Sequence, residues 1–175
     1  MLFSSWRVWT GICLILLVSA CVAMPGNPKV ATDYNHSYDF SKIHKVAIQP
    51  IARDTLATMM TSDEQISRIN IALTNELLRR GFQVVTTNAE ADIFLSWKFL
   101  PPEKDEVATF DPATQQITGG TLNVSMIDPI MLQSVWRATF HSNLRSQPDT
   151  EEAAQYRREA AQAILADFPP EPAAG

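Results

Sequence analysis

The chain has 175 residues, 46% of them hydrophobic and 19% charged, with 14 basic against 19 acidic side chains. This length suits one domain with a substantial core, and a net charge of −5 without a basic stripe argues against nucleic acid as a partner. Both cysteines, Cys13 and Cys21, lie near the N-terminus, so the rest of the chain has no pair to oxidise and must be stable through burial alone.

Met1 to Thr10 carries one basic side chain, Arg7, and no acid, and the 17 residues from Val8 to Met24 are uncharged. The densest apolar part, Ile12 to Val18, has the length of a signal-peptide core, whereas a spanning helix needs ~20 apolar residues. An uncleaved signal anchor is the alternative reading. Leu17-Val18-Ser19-Ala20-Cys21 closes the run and resembles a bacterial lipobox. Ser19 and Ala20 are small enough for a peptidase cleft, and the Cys21 thiol follows directly; Cys13 fails this test because Ile12 precedes it. The resemblance implies cleavage between Ala20 and Cys21, a diacylglyceryl group on Cys21, and a membrane partner reached through that lipid. Two or more acyl chains hold a protein stably where one does not. Val22, where an aspartate would signal inner-membrane retention in such lipoproteins, implies the outer membrane and a domain facing the periplasm.

A chain beginning at Cys21 loses Arg7 and no acid, leaving 13 basic and 19 acidic residues, net −6. Val22 to Pro28, with Pro25, Gly26 and Pro28, reads as a short tether. Residues 29–40, rich in β-formers and aromatics, predict an irregular edge strand, and Lys45–Ile51 a cleaner one closed by Pro50. After a loop at 52–60, Thr61 and Glu64 have capping-box spacing, with Ser62 and Gln65 as the competing register. Ile66, Ile69, Leu73 and Leu77 then form one helical stripe, ended by Arg79, Arg80 and a C-cap at Gly81.

Phe82–Thr86 predicts a strand. In Asp92–Leu100, Ile93, Leu95, Trp97 and Phe99 alternate with a polar face that Phe94 interrupts, so that face should be partly covered. Residues 101–118 read as an exposed loop or ragged hairpin. Thr121–Ile127 and Ser134–Phe140 predict a hairpin joined through Asp128-Pro129. Asp149 is placed to cap a second helix with Ala153, Ala160, Ile164 and Phe168 on one stripe, stopped by Pro169-Pro170. The expected fold class is α+β: one mostly antiparallel sheet with two helices packed on one face.

Asp33-Tyr34, Asp39-Phe40-Ser41-Lys42, Leu77 to Phe82, Ala91-Asp92, Gly120-Thr121-Leu122, Asp128-Pro129, Val135-Trp136-Arg137 and Phe168-Pro169-Pro170 come in an order that resembles the domain-of-unknown-function 4136 family of bacterial lipoproteins. The resemblance covers about residues 29–170. It implies an envelope location and an α+β domain, and supplies no catalytic residues. Relatives often carry a glycine-bearing tight turn where this chain has Ile130-Met131-Leu132-Gln133. A looser likeness links the chain to envelope lipoproteins that activate cell-wall synthases or form secretion pores.

No histidine spacing fits a metal site, and no cofactor is expected. Asp33, His36 and Asp39 could in principle form a hydrolase cluster, but a polar edge strand with turn-forming acids is the plainer reading. Asp92 and Asp128 sit at strand boundaries, where turn and cap duties are the default. Trp97 and Trp136 fall in register with core positions. Three apolar residues in a predicted loop, Ile130, Met131 and Leu132, are the candidate partner contact. The expected function is therefore a lipid-anchored, non-enzymatic module that binds another envelope protein. A small-ligand carrier or sensor, with a pocket between sheet and helices, is the alternative.

Overall fold

A computed structural model describes residues 30–54, 56–59, 61–100, 109–111, 116–118, 120–142 and 150–170; the signal-like run with Ala20 and Cys21, the tether and Asp149 lie outside them. In chain order the elements are β1 (Val30–Tyr34), β2 (Lys45–Ile48), α1 (Leu56–Met59), α2 (Asp63–Arg79), β3 (Gln83–Val85), β4 (Ile93–Leu100), β5 (Thr109–Asp111), β6 (Gln116–Thr118), β7 (Gly120–Ile127), β8 (Ser134–Ser142) and α3 (Glu151–Ile164). Single 3-10 turns occupy Phe40–Lys42 and Asn88–Glu90.

Local signals set the limits of α2. The Ser62 side chain accepts from the Gln65 amide at 3.1 Å, so Ser62 and not Thr61 is the N-cap. Asp63 and Glu64 complement the dipole in the first turn and Arg79 in the last. The far end closes as a Schellman motif, with the Phe82 amide donating to the Leu77 carbonyl and the Gly81 amide to that of Leu78, both at 3.0 Å. This geometry needs a left-handed residue, and Gly81 supplies it at φ 92°.

Six strands form one sheet in the order β1-β8-β7-β4-β2-β3, while β5 and β6 pair with each other. Strands β1, β8, β7 and β4 are mutually antiparallel, but β2 runs parallel to both β3 and β4. The sheet is thus mixed, a correction to the mostly antiparallel expectation. The cause is α2: a helix inserted between β2 and β3 makes a crossover, which returns the chain parallel to its start. Residues 86–92 then carry it past β2 to begin β4 on the other side, which is feasible because β3 is only three residues long.

The two long helices, α2 and α3, pack on one face. Alternation along β4 buries Ile93, Leu95, Trp97 and Phe99, and the paired rows continue through Leu122, Val124 and Met126 into Trp136, Ala138 and Phe140. Ile69, Leu73 and Leu77 of α2, with Ala161, Ile164 and Phe168 from α3 and beyond, close this core. The Trp97 indole donates to Asn70 Oδ1 at 2.8 Å, which satisfies its polar atom and pins α2 to β4. Trp136 meets Phe168 edge to face at 5.3 Å. Both tryptophans are core residues, as their register predicts.

Two further boundaries differ from expectation. The N-cap of α3 is Thr150, whose hydroxyl accepts from the Ala153 amide at 3.2 Å, one residue later than Asp149. The 52–60 loop contains the short helix α1. Within 101–118, the described residues 109–111 and 116–118 pair as a hairpin of β5 and β6, one of the two forms expected there. If α2 is the central slab of this core, Leu73→Ala, at a site 1% exposed, should lose ~2–5 kcal/mol in urea denaturation; a loss under ~1 kcal/mol would show that the stripe is not packed as described.

Candidate functional site

The turn from β7 to β8 is organised by a carboxylate. Asp128 is only 8% exposed, yet it makes three side-chain hydrogen bonds. Its Oδ1 accepts from the amides of Ile130 at 2.8 Å and Met131 at 2.6 Å, and its Oδ2 accepts from the Tyr38 hydroxyl at 2.9 Å. The backbone closes the loop: the Asp128 amide donates to the Gln133 carbonyl, and the Leu132 amide to the Asp128 carbonyl, each at 2.9 Å. Aspartate suits this work because its short side chain reaches backbone donors two and three residues on.

Held this way, the turn turns its apolar side chains outward. Ile130, Met131 and Leu132 are 89%, 49% and 72% exposed. Leu132 sits at φ 53°, in the left-handed region that glycine occupies freely. For a leucine this conformation costs about 1 kcal/mol, and here it is not repaid by burial. The sequence-based candidates therefore form one continuous tip, and the hairpin is well closed without a glycine.

The partner side of the anchor is the segment between β1 and β2. The Asn35 amide extends the β1–β8 ladder by donating to the Val135 carbonyl at 2.8 Å. Tyr38 then lies against Phe40, ring centroids 4.9 Å apart, with its hydroxyl aimed at Asp128. Burial, foremost, followed by the Asp128 hydrogen bond and the charges of Asp128, Asp92 and Asp39, pushes the Tyr38 phenol up to about 12. The reverse holds for the carboxylates. The Met131 amide, foremost, holds Asp128 below the usual range against the opposing effect of burial, helped by the Tyr38 hydroxyl and the Ile130 amide. Asp92 is lowered chiefly by the His44 amide and also by that of Lys45, which donate to its Oδ2 at 2.9 and 2.8 Å.

Asp33, His36 and Asp39 are all exposed and do not form a catalytic arrangement. Asp33 lies opposite Arg137 in the ladder, and His36 rests against the Tyr34 ring at 4.3 Å. Asp39 caps the 3-10 turn through Ser41 and pairs with Lys42 at 3.0 Å. Asp128 performs the turn duty expected of it; Asp92 instead accepts from the His44 and Lys45 amides, 48 and 47 residues away, and joins the start of β4 to β2. Among the described residues, no group of three His, Cys, Asp or Glu side chains could hold a metal ion. Among them, too, no helix is long and apolar enough to cross a membrane.

Sequence reasoning missed two features. Tyr38 gives no sign of its role, because its acceptor lies 90 residues away. The second is a polar ladder on the sheet face away from the helices: Thr121 Oγ1 is 3.1 Å from His141 Nδ1, Asn123 Nδ2 donates to Thr139 Oγ1 at 3.3 Å, and the Ser125 hydroxyl to Asn123 Oδ1 at 3.2 Å. Thr121 and Asn123 are buried, in keeping with the partly covered face that Phe94 signals. Alternating Thr-x-Asn-x-Ser was the available cue.

The architecture is an α+β domain, two helices on one face of a mixed six-stranded sheet. Residues 30–170 match the family described as "Domain of unknown function (DUF4136)", and the chain belongs to that family. No curated protein matches it. Among solved structures it is similar to a DUF4136 family protein from Bacteroides thetaiotaomicron, with a TM-score of 0.52 and 14% identity over 82% of this chain and 95% of that one. It is also similar to a PDZ domain protein from Parabacteroides distasonis, with a TM-score of 0.53 and 14% identity, covering 81% of this chain and 35% of that one. A PelC dodecamer from Paraburkholderia phytofirmans aligns at a TM-score of 0.49 and 19% identity, over 79% of this chain and 94% of that one.

The linked ionisations of Asp128 and Tyr38 predict a stability plateau with two edges. A carboxylate lowered on folding stabilises above its unfolded value of ~3.9, and that contribution is lost as pH falls through the folded value. A phenol raised on folding stabilises below its unfolded value of ~10, and that contribution is lost as pH rises further. Phenolate absorbance should show a step near pH 12 that is missing in Tyr38→Phe. A wild-type titration without that step would contradict the buried setting of Tyr38 beside Asp128.

Proposed function

We propose that this protein is a lipid-anchored module of the bacterial envelope that works by docking on another envelope protein, without catalysis. In this reading the chain is cut after Ala20, Cys21 carries the diacylglyceryl group, and the domain faces the periplasm from the outer membrane. Ile130, Met131 and Leu132 are the docking residues. The lipobox-like Leu17–Cys21 supports the anchor. The single observation that supports docking is the apolar tip itself, three large side chains in solvent on a turn braced by a buried carboxylate.

Energetics favour that use. Each such side chain gains ~1.5–3 kcal/mol on full burial. A braced turn loses little conformational freedom when it docks, so more of that gain appears as affinity. A carrier of a small polar molecule is the second reading, and one observation favours it: Trp136 Nε1 is buried without a hydrogen-bond partner. Native mass spectrometry showing a retained ligand would promote that reading.

A photo-crosslinking residue at position 131 should give a discrete protein adduct in intact cells. Replacing Ile130, Met131 and Leu132 together by serine should abolish functional docking while leaving unfolding within ~0.5 kcal/mol of wild type, because exposed positions contribute little to stability. Intact mass of the cell-derived chain should show cleavage before Cys21 and added acyl mass. A chain that retains residues 1–20, or that yields no protein adduct under any growth condition, would overturn the proposal.

A further inference from the structure

The two long helices are held to the sheet in different ways. Along α2 a branched apolar side chain meets the core at every turn, from Ile66 through Ile69 and Leu73 to Leu77. Along α3 the distribution is one-sided. From Glu151 to Ala160 the one fully buried side chain is the methyl group of Ala153, with Tyr156 and Ala160 half-buried against the core. The buried bulk comes at the other end, where Ala161 is followed by Ile164, Leu165 and Phe168. A methyl group removes far less apolar area from water than an isoleucine or leucine side chain, so the first ten residues contribute little to docking.

The far end is also tied by hydrogen bonds. Arg80 donates to the carbonyls of Ala166 and Phe168 at 3.1 and 3.0 Å, and the Thr32 hydroxyl to Asp167 Oδ2 at 3.3 Å. The Phe168 ring lies 5.3 Å from that of Trp136 and 5.4 Å from that of Phe82. The near end is held as a helix by bonds of its own. Thr150 caps the Ala153 amide, Arg158 bridges to Glu151 at 2.7 Å and to Gln155 at 2.6 Å, and Gln155 donates to Glu159 at 2.7 Å. Apart from Tyr156, residues 151–160 are Ala, Glu, Gln and Arg, the strong helix formers. Helix in this half therefore depends little on the contact beneath it.

Helix α3 lies against α2 and β8. The chain leaves β8 at Ser142 and returns to Trp136 with Phe168, so α3 runs back along β8 with its first turns toward the Phe140 end. Parts of a domain with little buried apolar contact open locally while the remainder stays folded. We propose that α3 is a strap: Ala161–Phe168 is its fastened end, and Glu151–Ala160 lifts from α2 and β8 as a helix while α2 and the sheet stay folded, baring the apolar row of β8 at Phe140. This device depends neither on the Ile130–Leu132 turn nor on lipid at Cys21.

Cys13→Ser and Cys21→Ser leave the chain without a thiol, so single cysteines report opening where they are placed. Ala47→Cys in β2, Ala153→Cys and Ala161→Cys each add one sulfur atom at positions 1%, 6% and 3% exposed. The probe is a maleimide-linked polyethylene glycol, too large to reach any of these sites in the closed domain. Position 153 should react at least ~100-fold faster than 161 or 47, at a rate that low urea leaves unchanged. Positions 161 and 47 should react through unfolding of the whole domain, faster as urea rises. A rate at 153 within a few-fold of that at 47, or climbing with urea as steeply, would show that α3 opens only with the whole domain and would overturn the proposal. Amides of Arg157–Ala160 should stay better protected than the thiol at 153; equal protection would mean unwinding in place of lifting and would overturn it too. Arg80→Ala should quicken labelling at 161 about tenfold with 47 little changed, whereas equal gains at both would contradict the fastening. Near-UV circular dichroism confirms that each variant is folded.

Discussion

Asp128 is the constraint from which the character of the exposed apolar tip at the β7–β8 turn follows. Its carboxylate ties together the end of β7, the amides of the turn, and Tyr38 from the segment after β1, and so reinforces the backbone bonds that close the loop. With both oxygens committed, the turn has little freedom to tuck its apolar side chains under the sheet. A buried carboxylate without those donors would be costly; with them it is both satisfied and directional. The left-handed Leu132 follows from the same closure, because the chain must reverse within the residues between Asp128 and Gln133.

The core supplies the rigid platform behind that turn. Rows of apolar side chains cross β4, β7 and β8 in register and are sealed by α2 and α3. Arg80 ties the two helices at the end nearest the turn, donating to the carbonyls of Phe168 at 3.0 Å and Ala166 at 3.1 Å. These carbonyls belong to the turn that follows α3, and the guanidinium supplies them with donors. Motion at the Tyr38–Asp128 end is resisted by this packing as well as by the turn itself.

Much of the fold was legible because the decisive signals were local. The α2 stripe, its arginines and Gly81, and the alternation of β4 each lie within a few residues of the feature they specify. The choice between Thr61 and Ser62, and the placing of the second cap at Asp149 where the structure has Thr150, turned on a one-residue shift that spacing alone does not resolve. Sheet order was not legible. Nothing local in Lys45–Ile48 says that its neighbours are β3 and β4, both parallel, since pairing is decided by the helix crossover and the shortness of β3. The tip was found as a run of three apolar residues in a loop, yet its geometry was not, because the glycine expected in a tight turn is replaced by Leu132 and the brace comes from Tyr38.

Amide hydrogen exchange resolved by residue tests the central role of Asp128 most directly. In the wild-type chain the Ile130 and Met131 amides should exchange at least tenfold more slowly than in an unstructured peptide, and in Asp128→Ala they should lose that protection while the amides of β4 and β7 keep theirs. Wild-type amides at 130 and 131 that exchange as freely as a peptide, or that remain equally protected without the carboxylate, would contradict the account.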